Sequence, residues 1–159
     1  MTISRREFVK LTGATVLCAC AGAVGISGCS KSAGVSNMPL APEGSYRWDG
    51  DRLIVSLTAA DQLNPVGGAV RFTLDGGEEA GVKIAVVHSE VETYQAFANR
   101  CTHGGKELDY LNEDKKLQCR SGKAQFDLDG HVIKGPAESA LLVYPTHRAG
   151  DQLVIEVSR

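Results

Sequence analysis

From Tyr46 onward, short apolar runs alternate with clusters of Gly, Asp, Asn and Pro, the pattern of strands separated by turns. Arg52 to Leu57 predicts a strand, and Ala69-Val70-Arg71-Phe72-Thr73-Leu74 alternates as a half-buried strand does. Lys83 to His88 is a β-branched and mostly continuous run, and Thr93 to Ala98 alternates again. Asp75-Gly76-Gly77, Asp129-Gly130 and Ala149-Gly150-Asp151 are turn sequences, because glycine accepts the positive φ that tight turns demand. No convincing helix follows residue 46; the polar piece from Glu107 to Lys115 predicts a helical turn or a hairpin. The expectation is an all-β sandwich of antiparallel strands, with about 115 residues to build its own core.

Two stretches precede that pattern. The chain opens M-T-I-S-R-R-E-F-V-K and runs on through Leu11 to Gly28, apolar but rich in Gly, Ala and Thr. A charged start, a modest apolar region and small residues at its end describe an export signal over residues 1–28, and Arg5-Arg6 suggests the twin-arginine route. A spanning helix wants about 20 mostly apolar residues, and this stretch is diluted by small polar ones. Ile26-Ser27-Gly28-Cys29 resembles a bacterial lipobox, which makes Cys29 the expected lipidated residue. Residues 29–45, rich in Ser, Gly, Pro and Ala, read as a flexible tether before a domain over 46–159. The expected location is the periplasm or the outer face of the cytoplasmic membrane, held by a lipid anchor.

Composition removes several classes of function. The formal charge is −2, and losing Arg5, Arg6, Lys10 and Glu7 with a leader makes the remainder more acidic. Nucleic acid is therefore an unlikely target on charge alone, and such mild acidity would at most steer a basic partner. There is no internal repeat, phosphate-cradling loop, Ser/His/Asp order or four-ligand zinc spacing, and no small-molecule substrate site is evident. Of the five cysteines, Cys18 and Cys20 would leave with the signal and Cys29 would carry lipid. Cys101 and Cys119 remain, and two thiols in an exported domain are expected to be metal-bound or paired.

Those two residues sit in C-T-H-G-G (101–105) and C-R-S-G-K-A (119–124), the second followed by Q-F-D-L-D-G-H-V-I-K-G-P-A. This order resembles the Rieske domain family, in which two Cys-plus-His loops hold a 2Fe–2S cluster, two thiolates on one iron and two imidazoles on the other. The resemblance runs from Tyr46 to Arg159. It implies Cys101, His103 and Cys119 as cluster ligands, backbone amides near Gly104 and Gly105 approaching the sulfides, and Gly135-Pro136-Ala137 as a shielding loop. Gly122 stands where the family places its second His, and Lys123 beside it is a weak substitute because an ammonium must first lose its proton. His88, His131 and His147 read as ordinary surface or edge histidines. Family members of high potential place hydroxyls where this chain has Ala124 and Phe126, so the resemblance implies a potential towards the low end of roughly −150 to +300 mV.

Two readings follow from the incomplete ligand set. One is a Rieske-type electron-transfer protein serving a redox complex at the membrane, with a 2Fe–2S cluster as cofactor. The other is a cluster-free interaction module of the same fold, in which Cys101 and Cys119 close a disulfide. A third, smaller possibility is a single metal such as zinc at the Cys101, His103 and Cys119 donors.

Overall fold

The computed structural model describes residues 36–74 and 81–157. The leader, Cys29 and the Asp75-Gly76-Gly77 turn lie outside them. The strands are β1 (Tyr46–Asp49), β2 (Arg52–Ser56), β3 (Ala69–Leu74), β4 (Val82–Glu90), β5 (Thr93–Ala98) and β6 (Leu108–Leu111). They continue as β7 (Lys116–Cys119), β8 (Gln125–Phe126), β9 (Val132–Lys134), β10 (Val143–Tyr144), β11 (Thr146–Ala149) and β12 (Gln152–Glu156). The alternating segments fold where their pattern places them, and Glu107–Lys115 resolves as the start and turn of the β6–β7 hairpin, with no helical turn. A 3-10 turn covers Asp61–Leu63. No helix among the described residues is long and apolar enough to cross a membrane.

Three four-stranded sheets result, in the orders β1-β2-β12-β11, β10-β5-β4-β3 and β6-β7-β8-β9. Neighbouring strands within them are antiparallel throughout. The middle sheet explains why β4 reads as a continuous apolar run. Ile84 and Val86 enter one hydrophobic core with Leu53, Val55, Phe72 and Ile155, while Ala85 and Val87 enter a second with Phe97, Leu108, Leu117 and Phe126. A strand covered on both faces has no solvent side and therefore loses polar alternation. Both candidate cysteines belong to the second core.

Part of the expected tether is docked on the domain. Ser36, Met38, Ala41 and Ser45 are buried. Asn37 donates to the Tyr110 carbonyl at 2.7 Å and accepts from the Tyr110 amide at 2.9 Å. The Ser36 hydroxyl donates to the Leu108 carbonyl at 2.6 Å, and Leu40 bridges Arg71 in parallel. Composition suggested a solvated linker here. The segment instead satisfies backbone groups of β6 and inserts Met38 into the second core, so over residues 36–45 the tether expectation is corrected.

Candidate metal centre

Each cysteine is presented by a tight loop whose shape follows from local hydrogen bonds. After β5, the Asn99 side-chain carbonyl accepts from the Leu108 amide at 2.8 Å, which closes the first loop at its base. Inside it the Cys101 amide donates to the Lys106 carbonyl at 2.7 Å, and the Gly105 amide donates to the Cys101 carbonyl at 2.8 Å. Gly105 has φ of +68°, a conformation open to glycine at little cost. In the second loop the Cys119 amide donates to the Ala124 carbonyl at 2.8 Å and the Gly122 amide to the Cys119 carbonyl at 2.6 Å. The Arg120 amide donates to the Glu107 carbonyl at 3.1 Å, joining the second loop to the end of the first.

The two sulfurs meet. Both side chains are buried, and the Cys101 thiol donates a hydrogen bond to the Cys119 sulfur. Both cysteines are free thiols. Burial raises the Cys101 pKa, and giving its proton to Cys119 raises it further, while backbone contacts from His103 and Gly104 pull the other way. Burial also opposes ionisation of Cys119. There the Cys101 thiol, the Ser121 hydroxyl and the Ser121 backbone outweigh it, so the Cys119 pKa is lowered. Ser121 Oγ lies 3.0 Å from the Cys119 sulfur. Ser121 and its backbone thus favour negative charge on Cys119, the charge that a metal-bound thiolate carries.

Ser121 bears on the expectation drawn from Ala124 and Phe126. Those positions do lack hydroxyls, and Ala124 and Phe126 are wholly buried in the second core. A hydroxyl nevertheless reaches a cysteine sulfur, from the residue two places after Cys119. The sequence signal is the Ser two places after Cys119 in C-R-S-G.

His103 is exposed on the first loop. Among the described residues, the one set of three ligating groups gathered within 4.8 Å is Asp127, Asp129 and His131 in the β8–β9 turn. Cys101, Cys119 and His103 are spread wider than one tetrahedral ion would hold them. In a two-iron cluster the imidazole sits on the iron remote from the thiolates, so His103 need not join the sulfurs to serve as its ligand. Gly122, at the missing second His, has φ of +76°, and a Cβ there would meet only the Gln118 amide nitrogen at 4.0 Å. The space for a fourth ligand is open, but no side chain enters it. Lys123 is exposed. The donor set therefore fits the thiolate half of a 2Fe–2S cluster in full and the imidazole half with one position vacant.

The expected shielding loop lies against this centre. Ala137 packs in the same core as the two cysteines, and the Thr102 hydroxyl donates to the Ser139 carbonyl at 2.7 Å, tying the first ligand loop to the segment after Pro136. The other histidines are elsewhere. His131 is exposed beside Asp127 in its turn and His147 is exposed on β11. His88 departs from expectation: only 6% exposed, it stacks on Tyr94 at 4.3 Å, and neither ring nitrogen has a hydrogen-bond partner.

Comparison with known proteins bears on the same segment. The model of the Rieske [2Fe-2S] domain family matches residues 56–145. Among solved structures, the chain is similar to the plasma membrane Rieske protein PetC3 of the cyanobacterium Synechocystis PCC 6803. That match has 26% identity over 55% of this chain and 85% of the other, at a TM-score of 0.47. It is also similar to the ferredoxin of carbazole 1,9a-dioxygenase from Nocardioides aromaticivorans IC177, with 20% identity over 62% of this chain and 91% of the other, at a TM-score of 0.50. A quaternary ammonium Rieske monooxygenase, CntA, matches over 62% of this chain and 31% of its own, with 17% identity and a TM-score of 0.49. No curated protein matches the sequence.

Proposed function

The chain belongs to the Rieske [2Fe-2S] domain family, and from that premise we propose that it is a one-electron carrier serving a redox complex at a membrane. The observation that carries the proposal is the meeting of two buried thiols, delivered by two separate loops, in a pocket where the hydroxyl and backbone of Ser121 favour the ionised Cys119. Cys101 and Cys119 would hold one iron and His103 the other, with the position at Gly122 left to a non-protein ligand. A bound cluster supplies reversible one-electron chemistry, and its potential follows from hydrogen bonds to sulfur, charge and solvent access. The chain's own part is to orient and insulate. The buried second core keeps water from the thiolates, the Ser121 hydroxyl stabilises charge on Cys119, and the exposed first loop brings His103 to the surface.

Export and anchoring belong to the same proposal. The support is in the sequence: Arg5-Arg6 before an apolar stretch, and Ile26-Ser27-Gly28-Cys29 as a lipobox-like end. A cluster-free module with a Cys101–Cys119 disulfide is the second reading, and the adjacency of the two thiols supports it as well.

Iron and acid-labile sulfide per chain, measured on freshly purified anaerobic protein, separate the two. The carrier requires two of each, a brown colour and a low-temperature EPR signal on reduction. Colourless protein whose mass is two hydrogens short, restored by reductant, rules for the disulfide. For the anchor, Cys29→Ala is expected to move the protein from membranes to the soluble fraction. Unchanged partitioning rejects lipidation there.

A further inference from the structure

We propose that the cysteine end of the molecule is a basic docking surface for an acidic partner, although the chain as a whole carries net negative charge. The inference deepens the electron-transfer reading and rests on it, since a partner must approach the cysteine end to exchange electrons. The segments 99–109 and 118–124 carry four cations, Arg100, Lys106, Arg120 and Lys123, and two carboxylates, Glu107 and Asp109. Both carboxylates are engaged. Glu107 receives Lys83 at 2.6 Å, and Asp109 accepts from the Asn37 amide at 2.9 Å with Arg120 3.8 Å away. Arg100, Lys106 and Lys123 are exposed, and no carboxylate among the described residues pairs with them. Positive charge is therefore left over on the rim of both ligand loops.

Two further observations give that charge a shape and a direction. Beside the first loop a cleft of about 410 Å³ opens between the start of β4, the end of β5 and Gly105, lined by Asn99, Arg100 and the Lys83–Glu107 ion pair. It has room for a partner's side chain, and Arg100 on its wall has no carboxylate partner among the described residues. Along the β4–β5 hairpin the charge left unpaired among the described residues also changes sign, from Arg100 at the cysteine end to exposed Glu90 at the turn far from it, while Lys83 is balanced by Glu107 and Glu92 by Arg148. Such a gradient orients an approaching partner at long range, whatever the net charge. The mild overall acidity had pointed to a basic partner; the distribution of the charges points to the opposite sign at the surface that matters.

The test uses hexaglutamate as the probe, hexalysine as the control and ¹⁵N-labelled, metal-free full chain. Metal-free protein makes the outcome independent of whether a cluster assembles, so failure here is distinct from failure of the iron analysis. Hexaglutamate is expected to shift amide signals of residues 99–107 and 119–124. The shifts should weaken severalfold between about 50 and 200 mM salt as the Debye length shortens. The triple variant R100E/K106E/K123E should lower the apparent affinity by about tenfold, the combined effect of three exposed charge pairs. R100Q/K106Q/K123Q should fall between it and the parent chain, and its dispersed spectrum reports that the fold is intact. Shifts at these loops from hexalysine instead, no shifts from hexaglutamate at either salt, or parent-like affinity in both triple variants overturns the proposal.

Discussion

At the residue scale, Ser121 and Gly122 carry the chemistry the ligand pattern leaves open. The Ser121 hydroxyl, 3.0 Å from the Cys119 sulfur, stabilises negative charge there, and reduction of a cluster adds negative charge. A hydrogen bond worth about 1 kcal/mol, at about 59 mV per tenfold change for one electron, sets the scale. Ser121→Ala is expected to lower the potential of cluster-loaded protein by about 40 mV in voltammetry, and an unchanged potential means the hydroxyl does not act on the sulfur. Gly122 can be probed in both directions. A side chain there has room, but at φ of +76° an L-residue is strained by about 1–2 kcal/mol, Asn less than most. Gly122→His should therefore lower the stability of metal-free protein by about that amount in urea titration while raising iron retained per chain. A variant that is strained and binds no additional iron shows that the vacancy does not face a metal. That Cys101 and Cys119 belong together was legible from the resemblance of their two loops to the Rieske family, and both enter the second core. The role of Ser121 was not, because sequence says which residues adjoin a cysteine and not which hydroxyl turns back onto its sulfur.

At the element scale, the segment before β1 and the ion pair between Lys83 and Glu107 decide how firmly the ligand loops are held. Asn37 closes two hydrogen bonds onto Tyr110 of β6, at 2.7 and 2.9 Å. Removing its amide leaves the Tyr110 amide and carbonyl without those partners, so Asn37→Ala should cost about 1–2 kcal/mol. Faster hydrogen exchange at Tyr110 should accompany it, and exchange at an unchanged rate would mean the segment only rests on the sheet. The second element contact is sensitive to acid. The Lys83 hydrogen bond chiefly holds the Glu107 pKa below 4.5, against burial, with Lys83, Arg71 and Arg120 adding their charges. A folded pKa below the unfolded one means stability that is present above about 4.5 and is lost as pH falls through the folded value. Because the pair is partly exposed, its worth is under about 1 kcal/mol. Glu107→Gln should remove that slope from the acid limb of a stability–pH curve and leave neutral pH nearly unchanged; an identical acid limb sinks the assignment. Strand positions were legible wherever one face is partly solvated, as in β3, because polarity then alternates every second residue. The docking of residues 36–45 was not legible, since Ser, Pro and Ala look the same in a linker and in an extended segment that bonds to a sheet.

At the scale of the whole molecule, two cores share one sheet. Ile84, Val86 and Ala96 point into the first core while Ala85, Val87 and Phe97 point into the second, so neither core can dissolve without exposing half of β4 and β5. The continuous run in β4 announced burial on both faces in principle, yet it showed neither which residues met across it nor that the third sheet closed over the far side. The second core gathers Phe97, Leu117 and Cys119 from segments that nothing local in sequence connects. This arrangement predicts cooperative unfolding of the described domain. Phe97, wholly buried, fills the second core, and its truncation to Ala removes a large apolar volume at a cost of about 3–5 kcal/mol. If the middle sheet couples the cores, Phe97→Ala should shift a single calorimetric transition downward, with amides of Leu53 and Ile155 in the first core losing exchange protection together with those of Leu108 and Leu117. Phe72→Ala, made in the first core, should reproduce that behaviour from the other side and loosen the ligand loops as well. Two separated transitions, or protection lost on one side of the sheet alone, would show that the ligand-bearing lobe melts by itself, and stability added to the first core would then do nothing to keep the two sulfurs together.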